Sequence, residues 1–258
     1  MELVFQTPDF QVQAAEGAKG TTERRRLNQA DFLRIPVLIP TVPIQRRIVD
    51  LVQAVDAAIE STKDELSGAR ELSRAFRDVY FSVEDDVETL GSVYDVAAGK
   101  QLQSGTIAGI ATPYLRAGNI ADGVLDLGEI KEMLLTPAER SKLALLPGDV
   151  LVVEGGNGFG KSAVWANELD APVAFQNHVL RVRARSDAYT SEYASQWARW
   201  AHEQGRFRPT GSGIPNIGLG KARAMTIRSR DNAQGFPSQL NAALAGDAAA
   251  TENSVILD

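Results

Sequence analysis

The sequence predicts an α+β protein, one mixed and mostly β domain preceded by a long α-helix able to form a coiled coil. Three observations carry this. Residues 44 to about 82 hold no proline and one glycine, with apolar residues recurring at helical spacing. From Leu90 to Ile227 the texture changes to short apolar runs cut by Gly, Pro, Asn and Asp. Only two helical patterns interrupt those runs.

Residues 1–42 are mixed. An apolar start leads to a turn at Gly17-Ala18-Lys19-Gly20, the basic run Arg24-Arg25-Arg26, and the strand-like IPVLIP at 35–40. Pro36, Pro40 and Pro43 punctuate the stretch, since proline stops strand pairing and helix interiors.

The helix expected over 43–82 takes Pro43 as its first residue, where a missing N–H costs nothing. Its stripe is Ile44, Ile48, Leu51, Val55, Ile59, Leu66, Leu72, Phe76 and Val79. At 1.5 Å per residue it would reach roughly 55 to 60 Å, too long for a compact domain. Ala58, Thr62 and Ala69 interrupt the stripe with small residues, which suits an antiparallel helical partner at close approach. The competing reading is a surface helix lying on its own domain. Gly68 weakens the helix by up to about 1 kcal/mol and is a natural place for a bend.

In the following segment LGSVYDVAAG, TPYLRAGNI, GVLDLGEI, GDVLVVEGG, KSAVWA, APVAFQNHVLRVRA and ARAMTIRS read as strands or strand edges. TPAERSKLAL at 136–145 reads as a helix capped by Thr136 with Pro137 next. A second helix is expected over about 190–204, where Tyr193, Trp197 and Trp200 share a face that belongs to a core rather than a base-stacking surface. The tail 231–258 is rich in Ala, Gly and Asn and reads as poorly ordered, with room for a short helix around FPSQLNAALA.

Composition removes several function classes. The 258 residues contain no Cys, which excludes disulfides, Cys-ligated metals and a thiol nucleophile, and only two His, His178 and His202. No metal or cofactor is expected. The N-terminal stretch lacks a basic-then-apolar leader and no apolar run is long enough to span a membrane, so a cytoplasmic protein is expected. The formal charge of −6 is uneven: residues 1–87 hold 11 basic and 15 acidic side chains, 88–230 hold 16 and 14, and the tail holds none and 4. Residues 171–230 alone carry 10 Lys and Arg against 3 Asp and Glu, a basic half-domain that the acidic total conceals.

Residues 155–162, GGNGFGKS, match the phosphate-loop pattern GxxxxGK[ST] after the apolar run DVLVVE. A nucleotide site would have Lys161 reach the β and γ phosphates and Ser162 hold Mg²⁺, at the start of a helix of several turns. The chain instead continues as SAVWANELDAP, where Val164 and Trp165 favour strand and Pro172 forbids a helix beyond it. A P-loop NTPase is therefore the alternative, and a Gly-rich hairpin tip the preferred reading. Glu129-Ile130-Lys131 resembles half of a metal-dependent nuclease site, but Asp122 and Asp126 are too close in sequence to supply its separate strand. Ala111-Thr112-Pro113-Tyr114 fails the tetrapeptide that grips a flipped adenine. His178 reads as a hydrogen-bonded structural residue. Nothing assembles a catalytic site.

Two stretches together are distinctive: RIPVLIPTVPIQRRIVDLVQAVDAAI at 34–59, and, in order, LGSVYDVAAGKQ, PYLRAGNI, LLPGDVLVVEGGNGFGK, FQNHVLRVR and TGSGIPNI. This resembles the specificity subunit of type I restriction–modification systems, over about residues 20–230. The resemblance implies a non-catalytic, DNA-binding subunit for phage defence. Its target-recognition domain at 88–230 would read one half of a split double-stranded target. The helix 43–82 would act as spacer and dock DNA adenine methyltransferase subunits, with a restriction motor subunit where one is present. Full-length members carry two recognition domains and two long helices, whereas here there is one of each, with 1–42 resembling the closing segment of an upstream repeat. The chain is then either a half-subunit, pairing through its helix with another copy or a separate first half, or a truncated product. A protein-interaction adaptor that has lost DNA reading is a further alternative.

Phosphates call for Lys and Arg, guanine for Arg or Lys, adenine for Asn or Gln. The candidate DNA contacts are Lys100, Gln101 and Gln103; Arg116 and Asn119; Asn157 and Lys161; Gln176 and Asn177; and Arg206, Arg208, Thr210 and Ser212. The same Gly-rich phrases also read as scaffold that shapes loops while other residues meet the bases.

Overall fold

The computed structural model describes residues 5, 7–18, 26–37, 39–83, 85–102, 109–156, 158–208 and 216–229. The chain forms two units, residues 1–63 and 64–258. In the first, α1 (Pro8–Gly17) and α2 (Gln29–Phe32) precede the entry of the long helix. Asn28 caps α2 by accepting the Asp31 N–H at 2.8 Å, and the rings of Phe5, Phe10 and Phe32 stand 5.0 to 6.0 Å apart. The Gln45 N–H reaches the Thr41 carbonyl at 2.9 Å, and its side chain donates to the Pro40 carbonyl at 2.7 Å. Gln45, a residue of the distinctive helix entry, thus fastens the proline-rich strap to the helix start.

The long helix α3 is Val42–Phe81, 40 residues. Seven of the nine stripe residues fall on a seven-residue repeat, Ile48, Val55 and Phe76 in one series, with Thr62 and Ala69 between, and Ile44, Leu51, Leu72 and Val79 in the other, with Ala58 and Glu65 between; Ile59 and Leu66 stand beside it. A strict heptad drifts about 20° per repeat around a straight helix. In the last turns, therefore, the stripe parts from the residues that pack on the second unit: Ser73, Arg77, Tyr80 and Phe81 are buried, while Leu72 and Val79 stay 69% and 77% exposed. Of the nine stripe residues Leu66 is half-buried and the other eight are exposed in this chain. The end of α3 does lie on its own domain, through a different face.

The second unit is built on three sheets. Strands β1 (Val87–Thr89) and β9 (Thr226–Arg228) pair antiparallel, so residues 87–89 and 226–228 meet. A four-stranded antiparallel sheet runs β2-β8-β5-β6, with β2 Tyr94–Ala98, β5 Val150–Val153, β6 Ser162–Val164 and β8 Val179–Ala184. A three-stranded sheet runs β4-β3-β7, with β3 Ile110–Leu115, β4 Lys131–Leu135 and β7 Ala174–Phe175, β3 and β7 parallel. Short helices are α4 (Leu90–Val93), α5 (Pro137–Leu143) and α7 (Leu219–Ala224); α6 (Ser191–Glu203) is longer.

The four-stranded sheet is covered on both faces, which is why all four residues of β5 are buried. Val150, Val152, Leu180 and Val182 face a core with Tyr193, Trp197, Trp200, Tyr80 and Phe81. Leu151, Val153 and Val179 face the other core with Leu115, Leu135, Phe175 and Trp165. The α6 aromatics are core, as their spacing predicts, and their polar tips are satisfied: Tyr193 Oη donates to the Arg228 carbonyl at 2.8 Å, Trp197 Nε1 to Thr226 at 3.0 Å and Trp200 Nε1 to Asp78 at 3.2 Å. Thr136 caps α5 with a reciprocal bond from Glu139, as the sequence predicts.

Three predicted strands are corrected: in ARAMTIRS the first three residues close α7 (Leu219–Ala224) and only Thr226–Arg228 is strand, and two more differ. GVLDLGEI at 123–130 is a loop, and its strand begins only at Lys131, because Asn119 Nδ2 donates to the carbonyls of Asp126 (2.8 Å) and Glu129 (3.1 Å) and folds the segment over itself. Leu90–Val93 is a helical turn rather than the start of β2. The tail 231–258 lies outside the described residues. No described helix is long and apolar enough to cross a membrane.

A Cβ at Gly68 would meet no atom within 4 Å, and the residue lies off the heptad stripe. Gly68→Ala should therefore stabilise the protein by about 0.5–1 kcal/mol, read as a higher melting temperature. A fall would show that this face is covered.

Candidate nucleic-acid interface

The strand ends of the two sheets converge at one place. The turn 176–178 carries the chain from β7 in one sheet to β8 in the other, and the ends of three neighbouring strands bond to it or to Phe175 just before it. Lys100 N–H donates to the Phe175 carbonyl (3.1 Å), Asn177 N–H to Lys100 (3.0 Å), Gln176 N–H to Leu115 (2.9 Å) and Glu154 N–H to His178 (2.8 Å). Lys100 and Gln176 form an isolated parallel bridge. Gly99 permits this crossing: a Cβ there would lie 2.3 Å from both the Phe175 and Gln176 carbonyl oxygens. The structure thus gathers Lys100, Gln101, Arg116, Lys161, Gln176 and Asn177 on one edge.

Among the described residues, 155, 156 and 158–161 lie between β5 and β6, whose antiparallel pairing makes a hairpin. Gly160 N–H donates to the Val153 carbonyl (3.0 Å), Val153 N–H to Lys161 (2.8 Å) and Lys161 N–H to Gly158 (2.9 Å). These amides are spent within the hairpin, a strand rather than a helix comes next, and Ser162 is buried. The phosphate-loop alternative is therefore not formed, and the hairpin reading stands. Gly160 has φ +83°, and a Cβ would come within 2.5 Å of His202 Nδ1 and 2.9 Å of Phe207. On the other flank Gly155 bridges to Asn216.

The candidate contacts differ in what they have free. Gln101 is exposed, Gln176 and Asn177 are half-buried, and their side-chain amides have no partner among the described residues; the Lys161 ammonium likewise has none. Lys100 donates to Glu139 at 2.6 Å, and this bond, with that of the Thr136 N–H, holds the Glu139 carboxyl down to about 2. Arg116 pairs with Glu129 at 2.5 Å, and its hydrogen bond lowers the Glu129 pKa. This pair, with Lys131 3.7 Å from Glu129, accounts for the nuclease-like E-x-K string. Asn119 is 3% exposed and commits both amide hydrogens to the loop below it, so it braces the edge instead of reading it. Arg206 stacks 4.9 Å over Trp200, while Arg208 is exposed. Gln103, Asn157, Thr210 and Ser212 lie outside the described residues.

The basic excess of 171–230 is smaller on the surface than the count implies. Arg181 is buried against Asp95, Arg183 holds the 1%-exposed Asp149 at 2.6 and 2.7 Å, Arg223 donates to the Val96 carbonyl and Arg228 to Tyr80. Asp95 in β2 and Asp149 just before β5 come earlier in the chain, and a segment count does not pair them with later arginines. One residue of the edge, Glu154, was not singled out by sequence reasoning, and His178, read there as a structural residue in a strand-like run, is placed differently. Glu154, at the exit of β5, is 8% exposed, and burial pushes its carboxyl above the usual range, opposed by the Gly218 amide and His178. His178 is exposed in the turn instead of buried in a strand. The available signal for Glu154 was an acidic residue directly after the fully apolar VLVV.

Fold and edge together define a β domain carried on a long helix, with a rim of amides and cations at its strand ends. No family model and no curated protein matches the chain. Solved structures do. The HsdS subunit from Thermoanaerobacter tengcongensis is similar with a TM-score of 0.56 at 14% identity, over 95% of this chain and 62% of that one. A type I restriction–modification system S subunit from M. genitalium gives 0.50 at 13%, over 96% and 64%. A structure concerned with the assembly and conformational transition of the type I restriction–modification system gives 0.53 at 14%, over 85% and 56%. The likeness is one of fold, and the chain spans less than two thirds of each of those chains.

Because the folded Glu154 carboxyl titrates above its unfolded value, the folded state binds the extra proton, and stability falls as pH rises from about 4.5 through the folded value. Glu154→Gln removes that loss. Its melting temperature should exceed the parent's at pH 8 and converge on it towards pH 4.5. A constant difference would show that the carboxyl is not the cause.

Proposed function

We propose that this chain is the non-catalytic DNA sequence-specificity component of a type I restriction–modification complex, acting in the cytoplasm. Residues 88–230 read one half of a split double-stranded target. The helix 43–82 serves as spacer and docks DNA adenine methyltransferase subunits, with a restriction subunit joining where present. Residues 1–42 close an upstream repeat-like segment, and 231–258 form a tail. The exposed heptad seam of α3 also suits pairing with another copy or a separate half-subunit. The observation that carries this reading is the gathering of Lys100, Gln101, Lys161, Gln176 and Asn177 on one edge, in a chain whose long helix keeps its apolar seam exposed.

The chemistry fits duplex recognition. Lys161, whose ammonium has no partner among the described residues, and the exposed Arg208 are the proposed phosphate contacts, while Gln176 and Asn177 offer side-chain amides suited to adenine. The chain should bind duplex DNA with an affinity that falls with salt, and co-elute with an adenine methyltransferase subunit. Lys161→Ala should weaken binding to all sequences and lower the log–log salt slope by about 1. Failure of both binding and co-elution, with the protein folded, would refute the proposal. Partner binding without DNA affinity in the complex would point to an adaptor.

Glu139 holds Lys100 back from a phosphate. Glu139→Gln keeps the reciprocal cap with Thr136 and releases the ammonium, so DNA affinity should rise and the salt slope steepen. Electrophoretic shifts over a salt series read both; unchanged values would place Lys100 away from DNA.

A further inference from the structure

We propose that the C-terminal tail docks on the domain by seating the phenyl ring of Phe236 in an aromatic cleft at the end of α3. The contact is independent of the DNA-recognition reading and goes beyond it.

A cleft of about 230 Å³ opens where the end of α3 meets α6 and the β1–β9 pair. Phe81, Trp197 and Trp200 line it, and Val83 and Val87 stand beside them 37% and 41% exposed. Both indole N–H groups are spent, Trp197 Nε1 on the Thr226 carbonyl at 3.0 Å and Trp200 Nε1 on Asp78 at 3.2 Å. The charged residues of the lining are two arginines, Arg206 lying 4.9 Å over Trp200 and Arg228 4.6 Å over Tyr80, with no carboxylate among the described residues. What is left to a ligand is ring faces, methyl groups and two guanidiniums. An apolar cavity of about 150 Å³ takes up one benzene ring. A somewhat larger cleft with aromatic walls and cations beside them suits an aromatic side chain with a carboxylate nearby.

The tail has that chemistry. Residues 231–258 hold four acidic side chains, no Lys or Arg, and one aromatic, Phe236. Its point of departure is the wall of the cleft itself: Thr226 and Arg228 of β9 line it, and Arg228 donates to the Tyr80 carbonyl of α3 at 3.1 Å. Phe236 stands eight residues past Arg228 (236 − 228), a length of chain that spans up to roughly 26 Å. Pro237 restricts Phe236 to extended backbone, so little freedom is lost when the ring is seated. Asp231, three residues past Arg228, supplies a carboxylate to the two guanidiniums. A short tether also gives the chain's own tail an effective concentration in the millimolar range, which a second copy does not match. Seated there, the ring covers Val83 and Val87 and fastens β9 to the end of α3 from a second side.

The sequence holds no cysteine, so Ser238→Cys gives one site for a nitroxide label on the full chain. Electron paramagnetic resonance then reads the label's motion. That motion should be at least about threefold slower with Phe236 present than after Phe236→Ser, and Val83→Arg, which fills the mouth of the cleft, should free it to the same extent. Arg206→Glu, at an exposed position, should free it in part. The slow motion should survive about hundredfold dilution, because the contact lies within one chain. A label equally mobile with and without Phe236, or one that Val83→Arg leaves slow, would overturn the inference. Slow motion lost on dilution would assign the cleft to a second copy and overturn it too. If Val83→Arg does not fold, Arg206→Glu decides in its place, unchanged motion counting against the cleft.

Discussion

The candidate edge depends on one backbone crossing. Residues 175–178 leave a three-stranded sheet and enter a four-stranded one, and their amides and carbonyls are shared with the ends of β2, β3 and β5. Buried backbone groups must be paired, so a chain that changes sheets inside a domain can do so only where neighbouring segments supply partners. Gly99 allows those partners to come close enough, since any side chain would strike two carbonyl oxygens. The residues that line the crossing are polar because strand ends are where the chain must turn, and that polarity becomes available to a ligand.

Rigidity behind the edge comes from burial on both sides of the four-stranded sheet. One face packs on α6 and the last turns of α3, the other on the three-stranded sheet. The end of α3 is tied in by the Arg77–Glu203 ion pair, by Trp200 donating to Asp78, and by Phe81 5.6 Å from the Trp200 ring. A helix anchored in this way makes the domain and its last helical turns one body. The divergence of the heptad seam from the buried face comes from the mismatch between 3.5 and 3.6 residues per turn. One helix thereby serves its own domain at its end and keeps an apolar stripe exposed along the rest.

The long helix, the α6 core aromatics, the Thr136 cap and the hairpin nature of GGNGFGKS were legible because each rests on local periodicity or on the chemistry of one residue. The loop at 123–130 was not: its alternating apolar residues mimic a strand, and the Asn119 amide that folds it lies several residues upstream. The basic half-domain was half legible. Its arginines are evident in a count, but Arg181 and Arg183 are neutralised by Asp95 and Asp149, which stand outside the counted segment, earlier in the chain. Most of the candidate edge was legible as phrases, since Lys100, Lys161, Gln176 and Asn177 stand in glycine-rich or turn-rich strings. Their convergence, and the place of Glu154 within it, depends on sheet order and register that single-strand patterns do not encode.

The edge is thus a set of side-chain amides and one ammonium standing beside cations that carboxylates already hold. Such a surface favours selectivity over raw attraction, because paired cations contribute little to phosphate binding while amides discriminate bases. Hydrogen exchange of the full chain, with and without a DNA duplex selected on it from a randomised pool, tests this placement most directly. The account predicts added protection at residues 98–101, 115–117, 154–161 and 176–178, and none over residues 44–59. Protection confined to residues 44–59, or spread evenly over the domain, would contradict it.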